Sequence, residues 1–311
     1  MDLLDILRLG IGTAFLAYAA LSDWRTRQVR DPVWILVGTA GLVVFGAELI
    51  RDGVDAILAL ALVPAAVLFF GVFYGEEFVT ERGWRFPPRS VAAYAIALVA
   101  AIFPIIDLSR AGDTGELRAY ALYLSPSVMI LVFRAMYQAH LLKGGADAKA
   151  MISITMLFPM YPSLAPSLPL LVLEPLVQDV LAVLFPFSLL VLLNAALLLV
   201  FVPIALFAYN ASHGHVEIPE AFFGFKVPLN RVPRFVWFMD QVEGGEHVRV
   251  LFPRGRHDRA SSLRTLKDAG LDEAWVTPQL PFMVPLAIAY VLSFIVGNPI
   301  MGLLQALLPA V

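Results

Sequence analysis

Long apolar runs separated by short polar connections dominate the chain. Most of these runs approach the roughly 20 residues that an α-helix needs to cross the hydrocarbon core of a bilayer. The pattern predicts about eight transmembrane helices, at residues 3–22, 33–50, 54–74, 90–108, 118–142, 147–160, 180–209 and 282–308. The sixth is short, and prolines at 186 and 203 are expected to kink the seventh. The chain is therefore predicted to be an all-α polytopic membrane protein.

A polar region at residues 210–279 interrupts this pattern before the last helix. Alternating apolar and polar positions in "FFGFKVPLNRVPRFVWFM" and "EHVRVLFP" predict short strands. The segment "SSLRTLKDAG" predicts a capped amphipathic helix that ends at Gly270. We therefore predict a small α+β insert, and three parts of the chain: transmembrane helices 1–7 within residues 1–209, the soluble insert at 210–279, and a C-terminal transmembrane helix within 280–311.

The composition agrees with a membrane protein. Hydrophobic residues make up 59% of the chain and charged residues 15%, with a mean hydropathy of +0.79, whereas a soluble domain is about half apolar and a quarter charged. The net charge of −3 and the lack of a basic array argue against nucleic acid as a partner. The apolar runs predict membrane lipid as the surroundings of the chain. The absence of cysteine excludes disulfides, iron–sulfur clusters and thiolate zinc sites. No metal or organic cofactor is predicted.

Clusters of basic residues fall on one side of the predicted topology. Clusters of Lys and Arg mark cytoplasmic connections. They follow the first span, the third span and the seventh span, and they flank the junction of the fifth and sixth. We therefore predict that these connections and the insert face the cytoplasm, and that both chain termini lie outside the cell membrane.

Two aspartates occur at the cytoplasmic boundary of this topology. Asp23 ends the first span, and Asp147 begins the sixth, behind Gly144, Gly145 and Ala146. Two carboxylates close together do not both ionise readily, so such a pair can share one proton. The ionised member can then deprotonate a water while the protonated member polarises a carbonyl, which is the chemistry of aspartic proteases. The glycines permit a close approach of substrate to the main chain.

Each aspartate also has a purely structural interpretation. Asp147 can act as a helix N-cap, for which aspartate is a favoured residue. Asp23 can be an interfacial residue paired with neighbouring arginines. Four basic neighbours are candidates for supporting the carboxylates or the substrate, and equally for anchoring the topology: Arg25, Arg27, Lys143 and Lys149.

The segments "SDWRTRQVRDPVW" and "KGGADAKAM" resemble the motifs of the type IV prepilin peptidases, specifically their archaeal preflagellin and prepilin peptidase branch. These are membrane aspartyl proteases of the GxGD type. The turn that commonly reads Ile-Pro-Asn is here Arg30-Asp31-Pro32, and the Gly-x-Gly-Asp motif is here Gly144-Gly145-Ala146-Asp147. The tail "VTPQLPFMVPLAIAYVLSFIVGNP" is similar to the closing segment of longer archaeal members.

The resemblance implies that Asp23 and Asp147 are the catalytic pair of an aspartic endopeptidase. Its expected substrates are archaellin or type IV pilin-like precursors, from which it would remove the short basic leader (the class III signal peptide) on the cytoplasmic side. It also implies an archaeal source and a peptidase without a cofactor.

Two other functions remain open from the sequence. A proton- or cation-coupled secondary transporter could use the same boundary carboxylates, although such sites usually lie near the bilayer midplane at the interface of repeats. A presenilin-like intramembrane protease shares the second motif, but its first aspartate follows a tyrosine, whereas Asp23 follows Ser22.

Overall fold

The computed structural model describes residues 3–76, 78–80, 83–142, 144–162, 185–253 and 258–307. The chain is mostly helical, with a small sheet region toward its C-terminus. It divides into two compact units, one made of Met1–Ala195 with Phe282–Val311 and the other of Ala196–Pro281. Each unit has its own packed core, and each is described by itself.

The described helices, in chain order, are α1 Leu3–Thr26, α2 Asp31–Arg51, α3 Ala56–Ala59, α4 Leu62–Tyr74, α5 Pro88–Ala111, α6 Thr114–Tyr123, α7 Ser125–Gln138, α8 Gly145–Leu157, α9 Phe187–Ser212, α10 Arg259–Asp268, α11 Met283–Ile295 and α12 Pro299–Leu307. The described strands are β1 Val79–Thr80, β2 Gly83–Trp84, β3 Phe225–Pro228, β4 Val236–Phe238, β5 Asp240–Glu243, β6 Glu246–Arg249 and β7 Glu273–Pro278.

Several helices are long and apolar enough to cross a membrane. Among the described residues there are five such segments: α1, α2, α3 with α4, α5 and α9. The bent pairs α6–α7 and α11–α12 raise the number to seven if each pair is one span. Helix α8 has 13 residues and is about 20 Å long, short of the roughly 30 Å hydrocarbon core. The prediction of a multi-pass membrane protein is confirmed, and the count of eight spans stays a prediction.

Two of the predicted spans are broken. The span predicted at 118–142 bends by 41° between α6 and α7, and Pro126 is the second residue of α7. The span predicted at 282–308 bends by 47° between α11 and α12. Helix α9 begins directly after Pro186, and the kink predicted at this proline stays a prediction. Residues 180–184 of the same prediction lie outside the described residues.

Helix α8 is the centre of the first unit. It contacts α1, α2, α4 and α7, and residues 150–157 are all buried. Glycine allows the close contact with α2: a Cβ at Gly41 would lie 2.4 Å from the carbonyl oxygen of Met156. Small residues at helix contacts are typical of membrane bundles, because they let the backbones approach.

The second unit contains the predicted sheet region. Strands β3 and β4 both pair with β7 in an antiparallel sheet of order β3-β7-β4, and β5 pairs with β6. Leu266 of α10 packs with Val227, Phe238 and Val276 in a common core. The small α+β region predicted before the last helix is thus confirmed.

Candidate active site

Asp23 lies in the last turn of α1, which is why it stands at one end of the bundle. The helix ends because Arg27 adopts a left-handed backbone conformation, with φ of +57°. The Arg27 N–H donates to the carbonyl oxygen of Asp23 (2.9 Å), and its Nη1 donates to the same oxygen (3.0 Å). These bonds fix the backbone of Asp23 and leave its side chain half-buried.

The Asp23 carboxylate meets the first amide of α11. The backbone N–H of Met283 donates to Oδ2 of Asp23 over 3.1 Å. The first N–H groups of a helix have no acceptor within it, and the helix dipole favours a negative charge there. Sequence reasoning missed this contact. No side-chain pattern could signal it, because the donor is a backbone amide 260 residues further along the chain.

Asp147 lies in the first turn of α8. The N-cap of this helix is Gly144, so the interpretation of Asp147 as the N-cap is wrong by three positions. Its Oδ2 instead accepts the N–H of Gly144 (3.1 Å), as the third residue of a helix does in a capping box. A local capping bond and a reactive carboxylate are compatible, because Oδ1 of Asp147 has no hydrogen-bond donor among the described residues.

The residues between Gly144 and Asp147 have different steric requirements. A Cβ at Gly144 would lie 2.5 Å from Oδ2 of Asp147, whereas a Cβ at Gly145 would meet nothing nearer than the Tyr137 hydroxyl at 3.5 Å. Ala146 is already inside the helix, where alanine is the most favourable residue. The replacement of the second motif glycine by alanine therefore fits the local backbone.

Asp23 and Asp147 lie at the ends of two helices of the first unit, α1 and α8, that contact each other. Each carboxylate accepts one backbone N–H at the start of a helix, Asp23 from Met283 and Asp147 from Gly144. Both acids thus belong to the first unit, and each has one carboxylate oxygen held by a backbone amide.

The four basic neighbours have separate positions. Lys149 forms an ion pair with Asp31 (2.6 Å), and its ammonium lies 5.6 Å from the centre of the Phe73 ring. Arg25 is exposed in the last turn of α1, and Arg27 binds the Asp23 backbone as described above. Lys143 lies outside the described residues. The ammonium of Lys149 is thus directed to Asp31, which begins α2.

A buried charge cluster in the first unit was also missed by sequence reasoning. Arg8 is 3% exposed, and its Nη1 lies 3.3 Å from both Oδ1 of Asp5 and Oε1 of Glu48. Its Nη2 binds the second oxygen of Glu48. An ionisable residue inside an apolar run is energetically unfavourable unless it is paired. The charged residues within "DILRLG" and "GAELIR" could therefore have indicated that these two helices form an ion pair.

The fold and these side chains define a class: a multi-pass membrane protein with an aspartate at the end of each of two packed helices. Residues 217–298 match a family model described as Archaeal Peptidase A24 C-terminus Type II. This region contains the sheet of the second unit and helix α11.

Three curated relatives also match the chain. A preflagellin peptidase of Methanococcus voltae is 28% identical over 179 residues, which are 52% of this chain and 66% of the relative. A preflagellin peptidase of Methanocaldococcus jannaschii is 28% identical over 167 residues, or 51% of this chain and 65% of the relative. A third preflagellin peptidase, from Methanococcus maripaludis, is 26% identical over 304 residues, which are 94% of this chain and 96% of the relative.

The comparisons confirm the resemblance to the archaeal preflagellin peptidases that the two motifs indicated. For the first two relatives, the match covers just under two thirds of the relative's own length.

Proposed function

We propose that this protein is a membrane aspartic endopeptidase and that Asp23 and Asp147 activate the attacking water. The observation that carries the proposal is the contact between α1, which has Asp23 in its last turn, and α8, which has Asp147 in its first turn. Close carboxylates share a proton. The ionised member takes a proton from water, and the protonated member donates a hydrogen bond to the carbonyl of the peptide bond to be cut.

The proposed substrates are archaellin or type IV pilin-like precursors, and the proposed cut removes their short basic leader. The names of the relatives support this substrate class. The cytoplasmic side is supported by the arginines that follow Asp23 in the sequence, because basic residues mark cytoplasmic connections. A leader cut on that side, next to the hydrophobic segment of the precursor, lies at the depth of the membrane boundary.

The test is cleavage by purified protein in lipid nanodiscs. The substrate is a precursor with a basic leader and a hydrophobic segment, and new amino termini are identified by mass spectrometry. Asp23→Asn and Asp147→Asn are each expected to lower the cleavage rate by about 10²- to 10⁴-fold. Asp31→Asn is the matched control, because Asp31 is a nearby exposed carboxylate that pairs with Lys149; its activity is expected to be largely retained.

The same experiment separates the alternatives. Cleavage just before the hydrophobic segment supports the proposal, whereas cleavage within that segment supports a presenilin-like protease. Substantial activity in either aspartate variant overturns the catalytic pair. A proteoliposome uptake signal that depends on Asp23 or Asp147, without cleavage, supports a transporter instead.

A further inference from the structure

Helix α11 begins beside Asp23, one member of the proposed catalytic pair. Met283 is its first residue and is 1% exposed. Its N–H is one of the amides that a helix start leaves without an internal acceptor. In this protein that amide donates to Oδ2 of Asp23. When Asp23 is ionised the bond is charge-assisted, and such bonds are stronger than those between neutral groups.

Two contacts further along α11 fix its position against α1. The Tyr290 hydroxyl donates to the carbonyl oxygen of Arg8 (2.9 Å). Its ring lies against Gly12, where a Cβ would be 2.1 Å from the Tyr290 hydroxyl oxygen. A third contact holds the end of the helix, since Asn194 donates to the Ser293 hydroxyl (2.9 Å). All three side chains are buried, so the position of the Met283 amide is determined by packing along the whole helix.

We propose that the N-terminus of α11 is a third component of the aspartate site, and that the Met283 amide orients the Asp23 carboxylate. This inference rests on the proposed function. The amide occupies Oδ2 of Asp23, while Oδ1 has no donor among the described residues and is left for water. A carboxylate held through one oxygen keeps the geometry that proton transfer requires. Met283 is thus a positioning residue, and it acts through its backbone alone.

The proposal gives the C-terminal family region a direct part in the site. Residues 217–298 match the family model, and α11 falls within them. Because the interaction uses a backbone amide, it does not depend on the chemical identity of the side chain at position 283. The structural requirement is that the helix begins at this residue and packs against α1.

The test replaces a single amide by an ester, introducing the α-hydroxy acid corresponding to methionine at position 283 during cell-free synthesis into nanodiscs. The control is the same change at Val284, using the hydroxy acid of valine. Both replacements weaken one carbonyl acceptor of the helix; at position 283 it is the Phe282 oxygen that accepts from Leu286. Only the change at 283 removes the donor to Asp23, so the two variants differ in the proposed interaction.

The ester at 283 is expected to lower kcat about tenfold or more, the range for a lost hydrogen bond to a charged group. KM should stay within about twofold, because the amide binds an enzyme carboxylate and not the substrate. The ester at 284 should change neither. Folded protein is isolated by size exclusion and its thermal unfolding recorded, so that kcat refers to folded enzyme.

The outcomes distinguish this inference from the proposed function. If Asp23→Asn is inactive while the ester at 283 keeps the kcat of the wild type, the positioning role is overturned. Equal losses of kcat in both ester variants also overturn it, because the effect then belongs to the helix. If Asp23→Asn itself remains active, the proposed function fails, whatever the esters do.

Discussion

The N–H of Gly144 donates to Oδ2 of Asp147, and the space between the two residues leaves no room for a side chain on Gly144. The hydrogen bond measures 3.1 Å, and a Cβ on Gly144 would approach the same oxygen to 2.5 Å. Gly144 has a φ of −97°, which any residue can adopt. Its glycine is therefore required by the nearby carboxylate and not by the backbone conformation.

Gly144→Ala is accordingly expected to reduce activity with little effect on folding. The new methyl group displaces the Asp147 carboxylate, and displacement of a reacting group by about 1 Å can cost on the order of 10²-fold in rate. The colliding atoms are at the end of a side chain that can rotate away, so thermal unfolding should change little. The measurement pairs precursor cleavage with a melting curve in the same nanodiscs.

Gly145→Ala is the matched control. The nearest atom to its Cβ is the Tyr137 hydroxyl at 3.5 Å, an ordinary contact, and alanine in a helix is favoured over glycine by about 1 kcal/mol. Activity should remain near that of the wild type. Equal activity in the Gly144 and Gly145 variants would show that the position of the Asp147 carboxylate does not require glycine at 144.

Gly12→Ala is expected to disturb the pairing of α1 with α11. Its Cβ would lie 2.1 Å from the hydroxyl oxygen and 2.4 Å from the Cζ atom of Tyr290, which is fully buried. Overpacking of this kind typically costs about 1–3 kcal/mol. Since α11 also carries the amide that binds Asp23, both unfolding temperature and cleavage rate should fall.

The control for this prediction lies two residues away on the same helix. Gly10 is exposed and has no atom within 4 Å of its Cβ position. Gly10→Ala should leave activity intact and leave stability unchanged or slightly higher. A Gly12→Ala protein with the melting temperature and activity of Gly10→Ala would show that α11 does not need its close contact with α1.

The sequence allowed the long spans to be predicted, and also the positions of Asp23 and Asp147 at helix ends. Both depend on local pattern. A run of apolar residues must cross lipid as a helix, and α2 and α5 are found where the pattern indicated. Helix α8 differs, because it has only 13 residues and packs against α1, α2, α4 and α7. Its length is therefore not set by the thickness of the bilayer. The contact of Asp23 with Met283 is a consequence of tertiary packing between distant segments, which no local pattern encodes.

The buried cluster around Arg8 is expected to be a strong determinant of stability. Arg8→Leu leaves the carboxylates of Asp5 and Glu48 without this cation in a buried environment. Removing one member of a buried charge network typically costs about 3–5 kcal/mol. Denaturant unfolding in detergent should show a loss of this size. Substituting all three residues by leucine should recover much of it, because an apolar replacement removes the two carboxylates together with the cation.

An exposed pair on the next helix provides the comparison. Arg51 binds Asp52 with both side chains more than 40% exposed. Surface pairs contribute only about 0–1 kcal/mol, so Arg51→Leu should have a small effect. Similar losses for Arg8→Leu and Arg51→Leu would mean that burial of the first cluster has no energetic consequence.

Acid should weaken the second unit through Glu217. Burial raises the pKa of this carboxyl group, but the hydrogen bond from Arg249 lowers it. The positive charges of Arg249 and Lys226 lower it further, so the pKa lies below its ordinary value of 4.5. The stabilisation is therefore complete above about pH 4.5 and is lost as the pH falls through the lower pKa of the folded state. Because the carboxylate is 42% exposed, the effect should be modest.

Hydrogen–deuterium exchange of peptides from β3 and β7 measures this in the whole protein, since it reports local opening. In the wild type, protection of these strands should decrease below about pH 4.5. Glu217→Gln should show weaker protection at neutral pH and a smaller decrease in acid, because it has no proton to gain. Glu246→Gln, at an exposed position of the β5–β6 hairpin, should follow the wild type. If Glu217→Gln and the wild type lose protection in parallel as the pH falls, Glu217 is not the group that couples the stability of this unit to acid.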